Sequence, residues 1–132
     1  MVKCATGTFE VKVNPLEPFN KDDGATLGRL SIEKTFKGDL DAAGKGEMLT
    51  GGDPKSGSAG YVAMEQVAGT LHGKRGTFLL QHTGNMNRGE QSLSITVVPE
   101  SGTGELSGIS GRLSIKIENG KHFYEFNYTL PR

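Results

Sequence analysis

The sequence predicts an all-β protein: one antiparallel β-barrel of eight strands, forming a single domain over residues 1–132. Three observations carry that expectation. Apolar and polar residues alternate with a period of two in segment after segment, as at Phe9, Val11 and Val13 or at Leu93, Ile95 and Val97, which is the spacing of a strand with one buried face. Glycines, 20 of them against five prolines, supply turns at intervals of roughly 8 to 14 residues, the rhythm of a sandwich or barrel. No window keeps a helical apolar stripe for three turns.

The first strand is expected over residues 6 to 14, carrying Phe9, Val11 and Val13. It ends where Asn14-Pro15-Leu16-Glu17-Pro18-Phe19-Asn20-Lys21-Asp22-Asp23-Gly24 begins, the longest loop candidate, because prolines and turn formers resist both regular structures. The second and third strands, residues 26 to 37 and 40 to 50, flank Lys37-Gly38-Asp39. Counting across that turn sets Ile32 against Gly44 and Leu30 against Gly46, with Arg29 facing Glu47 as a pair on the outer side. The stretch from Gly51 to Gly57 leads to the fourth strand, residues 58 to 71, with Met48 opposite Tyr61. The fifth strand, residues 76 to 87, follows His72-Gly73-Lys74-Arg75-Gly76, a turn in which His72 is expected to point at solvent. That turn places Tyr61, Ala63, Glu65, Val67 and Gly69 opposite Met86, Gly84, His82, Leu80 and Phe78. The sixth strand, residues 90 to 99, turns at Arg88-Gly89 and sets His82 against Ile95 and Leu80 against Val97. After an odd-length turn at Glu100-Ser101-Gly102-Thr103-Gly104, the seventh strand is expected over residues 105 to 117. The eighth, residues 121 to 130, follows Asn119-Gly120, the strongest short hairpin signal, which pairs Ile117 with His122, Ile115 with Tyr124 and Leu113 with Phe126.

Seven successive strands thus agree on one apolar face. An open sheet of that size leaves edges to manage, whereas a barrel removes them and fills its interior with alternate residues. The polar groups read on the inward face are Glu65, His82 and His122, with the hydroxyls of Tyr61, Tyr124 and Tyr128. Small neighbours, Ala42, Gly44, Gly46, Ala63, Gly84 and Gly111, either leave space beside the acid or ease the coiling of the strands. Glu65 directly across from His82 in an apolar stripe is a candidate catalytic pair, since a buried acid beside an imidazole is a route to tuned proton affinity. The structural alternative is that the two only satisfy each other. Tyr61, Met48, Met86, Tyr124, Phe126 and His122 are the candidate ligand-binding residues.

Other chemistry is mostly excluded. The 15 basic and 15 acidic residues cancel without a Lys/Arg cluster, so nucleic acid is not an expected partner. No apolar run reaches the roughly 20 residues of a membrane span, and no leader stands at the N-terminus, so a soluble, cytoplasmic protein is expected. Cys4 is the one cysteine and leaves no internal disulfide. With no CxxC, HExxH, phosphate-loop or nucleophile-elbow motif, neither metal nor cofactor is expected, although Glu65, His82 and His122 could converge on a metal across a barrel. Val62, Met64, Ala68, Leu79 and Val98 alternate onto the outer face, and such a patch suggests a homo-oligomer.

The strings Gly38-Asp39-Leu40, Gly46-Glu47-Met48-Leu49, Gly60-Tyr61-Val62-Ala63, Gly69-Thr70-Leu71, Phe78-Leu79-Leu80-Gln81-His82, Val97-Val98-Pro99 and Ser101-Gly102-Thr103-Gly104-Glu105-Leu106 resemble those of a bacterial family of small uncharacterised proteins. That family is of unknown function, and its fold is similar to the allene oxide cyclase barrel. The resemblance implies an eight-stranded barrel with a largely apolar cavity, sometimes assembled as an oligomer; it does not imply cyclisation, because no cyclase catalytic motif matches residue by residue. The expected function is binding of a small apolar molecule in the barrel. The alternatives are an isomerase-like or cyclase-like enzyme using Glu65 and His82, and a ligand-free assembly protein.

Overall fold

Alternation of inward and outward side chains runs the length of eight strands in the computed structural model, which describes residues 1–18 and 27–131. The strands are β1 (Lys3–Leu16), β2 (Leu27–Gly38), β3 (Leu40–Asp53), β4 (Ser58–Leu71), β5 (Lys74–Asn87), β6 (Glu90–Val97), β7 (Ser110–Glu118) and β8 (Lys121–Thr129). Each pairs antiparallel with the next, and β1 pairs with β8 to close the barrel.

Two elements differ from expectation. The strand expected from residue 105 begins at Ser110, because Gly104–Leu106 makes a short 3-10 turn that turns Leu106, with Ile109 after it, into the core. The loop expected from Asn14 begins later: Asn14, Pro15 and Leu16 stay in β1, paired with Ser31, Leu30 and Arg29, where β1 has outrun β8 and a proline costs no second ladder. Phe19 to Gly24 of that expected loop lie outside the described residues.

Three registers are displaced by two residues. Ile32 stands opposite Gly46 and Leu30 opposite Met48; Met48 meets Ala63, and Thr50 meets Tyr61. Glu65 stands opposite Leu80, while His82 meets Ala63. The cause at β4–β5 is a two-residue turn, His72 (φ 48°) and Gly73 (φ 81°), where a five-residue turn was expected. A slip of two leaves every side chain on its original face, so the inward set is unchanged. The β5–β6 and β7–β8 registers are as expected.

Among the described residues, the barrel is plugged at one end and open at the other. Ala5, Leu40, Leu71, Leu106, Ile109 and Tyr128 are buried together at the end where β2 turns into β3 and β4 into β5. Above them Phe78 stacks on Phe126 at 5.6 Å and Phe126 on Tyr128 at 5.3 Å, so this half is a packed core. At the opposite end Val13, Leu93 and Ile117 occupy inward positions and are exposed. There β6 and β7 part company: their ladder holds only Ile95 with Leu113 and Thr96 with Arg112.

The outward apolar set divides. Val62 and Met64 are exposed, joined by Leu49 opposite Val62. Leu79 and Val98 are half-buried, because the chain after β6 straps across them: Val98 N donates to Leu79 O at 2.9 Å and Leu79 N donates to Ser101 Oγ at 3.0 Å. Arg29 and Glu47 form their outer pair at 2.8 Å despite the slip.

Tyr124 ties β8 to the β2–β3 turn. Its hydroxyl accepts from Leu40 N at 2.8 Å and donates toward Lys37 O at 2.9 Å, with Leu40 O at 3.2 Å. Removing that hydroxyl leaves the Leu40 N–H and a carbonyl without partners in a buried setting. Tyr124→Phe should therefore lose about 1–3 kcal/mol in denaturant unfolding, with the barrel retained.

Candidate functional site

The inward face of β2 reads Leu30, Ile32, Lys34 and Phe36; that of β4 reads Tyr61, Ala63, Glu65 and Val67; that of β5 reads Leu80, His82 and Gly84. Midway along the barrel these faces bring three ionisable groups together. Glu65 Oε1 accepts from Lys34 Nζ at 3.1 Å and pairs with His82 Nε2 at 2.9 Å. Glu65 is 1% exposed, His82 4% and Lys34 8%. Glu65 and His82 are therefore diagonal neighbours on adjacent strands, and a diagonal pair is within reach of long side chains.

Lys34 is the residue that sequence reasoning missed, and the signal was present. It stands two residues after Ile32 and two before Phe36, so period two places it inside. Its ammonium lies 5.1 Å from the Phe9 ring centre and 5.8 Å from that of Phe36, which adds two cation–π contacts to the ion pair.

Burial pushes the Glu65 carboxyl up, but the His82 hydrogen bond and the Lys34 charge outweigh it and hold it below the usual glutamate range. As a carboxylate, Glu65 accepts a hydrogen bond from each neighbour, so His82 carries a proton on Nε2; Nδ1 makes no hydrogen bond among the described residues. Glu65 Oε2 is buried without a partner among the described residues. It rests against Gly44, where a β-carbon would collide with it.

One inward step toward the open end lies a cavity of about 480 Å³, lined by Leu30, Thr50, Ala59, Tyr61, Met86, Gln91 and Leu93 among others. Tyr61 and Gly84 face each other at its floor, and Ala63 and His82 are the next pair below. The Tyr61 ring lies over Gly84 so closely that a β-carbon there would strike it. Burial pushes the Tyr61 phenol up, so the hydroxyl stays a donor, and it makes no hydrogen bond among the described residues.

Of the candidate ligand residues, Tyr61 and Met86 line this cavity. Met48 points inward just below its wall, between Leu30 and Ala63 in register. Tyr124 spends its hydroxyl on the backbone, Phe126 is in the packed core, and the His122 ring packs at a tilt against Phe9, 5.1 Å between ring centres. His122 does not join Glu65 and His82: among the described residues no three His, Cys, Asp or Glu side chains are placed to hold a metal. His72 does not simply face solvent. Its Nδ1 pairs with the Tyr128 hydroxyl, and its Nε2 lies 3.6 Å from Asp39, whose carboxylate accepts from Thr6 N.

A family model described as protein of unknown function, DUF3224, matches residues 5–128. A crystal structure of a protein with unknown function from the DUF3224 family of Shewanella oneidensis MR-1 is 47% identical, with a TM-score of 0.94, and the match covers 100% of this chain and 99% of that one. No curated protein matches. The likeness to allene oxide cyclase is not shown by these matches.

Two outcomes follow from the cluster. Because the folded-state acid is stronger than the unfolded one, its contribution is present above the ordinary glutamate value of about 4.3 and is lost as pH falls through the lower folded value. Denaturant midpoints should show the wild type's advantage over Glu65→Gln shrinking across that acid window and constant from there to neutrality. Gly44→Ala should destabilise by about 2 kcal/mol or more in the same assay, since either the carboxylate or the strand must move.

Proposed function

This chain belongs to the DUF3224 family, and from that premise we propose that it binds a small, mostly apolar molecule in the open end of its barrel. The observation that carries the reading is the cavity: about 480 Å³, walled by Leu30, Ala59, Met86 and Leu93, with few polar groups. That size lies within the roughly 300–1,000 Å³ of small-molecule sites, and apolar walls with a few oriented polar groups are their usual composition. Glycines at 51, 52, 60 and 84 supply backbone without side chains, which keeps the space open. The Tyr61 hydroxyl, a donor without a partner among the described residues, suits one polar end of the occupant, with Asn85 and Gln91 also in the lining. Displacing water from such walls stabilises a complex by about 25 cal/mol for each Å² of apolar surface covered.

The packed half of the barrel supports no ligand, so the reading concerns the open end alone. A test uses β-tetralone, a small apolar ketone, in equilibrium dialysis. The wild type should take up one equivalent per chain with saturation. Ala59→Trp, which fills the mouth from a half-buried position, should take up none while melting near the wild-type temperature. Equal uptake by both proteins would put the binding elsewhere and overturn the proposal.

A further inference from the structure

We infer that His82 is a general base serving this cavity, and that the cavity takes a carbonyl compound with an acidic C–H beside the carbonyl. The inference rests on the binding reading above and adds chemistry to it. It begins with a cost. A buried ion pair contributes little net stability, and apolar side chains of the same volume do as well or better, so packing alone does not account for Lys34, Glu65 and His82 inside this barrel.

The geometry gives each group a role. Lys34 and Glu65 bring opposite charges together on one side of the imidazole. Glu65 accepts a hydrogen bond from Nε2–H, which fixes the ring and leaves the Nδ1 lone pair free to take a proton. When it does, the carboxylate beside it balances the imidazolium. The charged groups facing His82 are Glu65 from β4 and, beyond it, Lys34 from β2; from β6 its register partner is the uncharged Ile95. Lys34 and Glu65 are positioning residues in this scheme. Tyr61 supplies the complementary group: it lines the cavity from the strand next to His82, one inward position nearer the mouth. His82 does not itself line the cavity; it stands in the next inward pair below Tyr61 and Gly84 and is 4% exposed, and its Nδ1 is not sealed, since Glu65 Oε2 is the fully buried side-chain atom without a partner among the described residues.

The step balances without a further reactant. The C–H bond beside the carbonyl breaks and its proton goes to Nδ1. The electron pair moves into the carbonyl oxygen, and that enolate oxygen accepts a hydrogen bond from Tyr61. The proton then returns to the same carbon, or to a more distant one when the carbonyl is conjugated with a double bond. The net change is proton exchange or a shift of that double bond.

The test is deuterium uptake by β-tetralone in heavy water, followed by proton NMR, with dialysis of the same ketone in parallel. The wild type should exchange the protons beside the carbonyl at least about 100-fold faster than an equal concentration of free imidazole. His82→Gln keeps a donor for Glu65 and loses the base; it should bind the ketone and exchange at background. Tyr61→Phe should bind and exchange about tenfold more slowly. Wild-type binding without exchange above the imidazole reference overturns this inference and leaves the binding reading standing, and so does a His82→Gln protein that exchanges like wild type. Absence of binding by the wild type removes both.

Discussion

Everything inside this barrel is arranged around one carboxylate that has left water. Glu65 is buried in an interior otherwise dominated by leucine, phenylalanine and valine, and an isolated charge there would be neutralised or expelled. It stays because Lys34 and His82 meet at the same oxygen, because two aromatic rings flank the ammonium, and because a glycine stands where a side chain would displace the second oxygen. Those partners come from four strands, β1, β2, β3 and β5, so the registers that join β1 through β5 must all be right for every one of them to be in place. The cluster is a specification of the fold as much as a chemical site.

Strand number, order and face were legible in the sequence because period two survives any error in counting turn residues. Register was not. At His72-Gly73 the glycine spacing fits a five-residue turn and a two-residue turn equally well, and the tighter turn wins because His72 adopts a positive φ that its side chain makes tolerable by bonding Tyr128. The Glu65 and His82 pair was visible from parity alone and came through the slip because long side chains reach a diagonal neighbour. Lys34 was equally visible by parity, and was passed over because a lysine in an alternating strand reads by habit as outward. The role of Tyr124 was out of reach: a hydroxyl that meets backbone 84 residues away in sequence has no local signature. The 3-10 turn after β6 was hidden similarly, since its residues alternate well enough to pass for strand until Leu106 and Ile109 find the open core beneath them.

The two halves of the interior do different work. The half with Phe78, Phe126 and Tyr128 is dense and sealed, and it carries the cohesion. The half with Tyr61, Met86 and Leu93 is loosely walled and reaches solvent, and the charged cluster lies at the boundary between them. A polar group at such a boundary has an apolar floor that strengthens its electrostatics and an entrance that gives it something to act on. Family membership fits this division without explaining it, since the relative from Shewanella oneidensis shares the frame and is itself described as of unknown function.

The order of the strands bears on how the ring comes into being. Seven of its ladders join strands that follow one another along the chain, five of them across connections of only one to four residues; the β1–β8 ladder alone joins opposite ends of the sequence. Closing it requires the whole meander to curl first, so it bears most of the loop entropy and belongs late in assembly. Until then the growing sheet has two bare edges, β1 with its exposed Cys4 and β8, each able to accept a strand from a neighbouring molecule as readily as from its own. Self-closure and intermolecular pairing compete for the same hydrogen bonds, and dilution favours the ring.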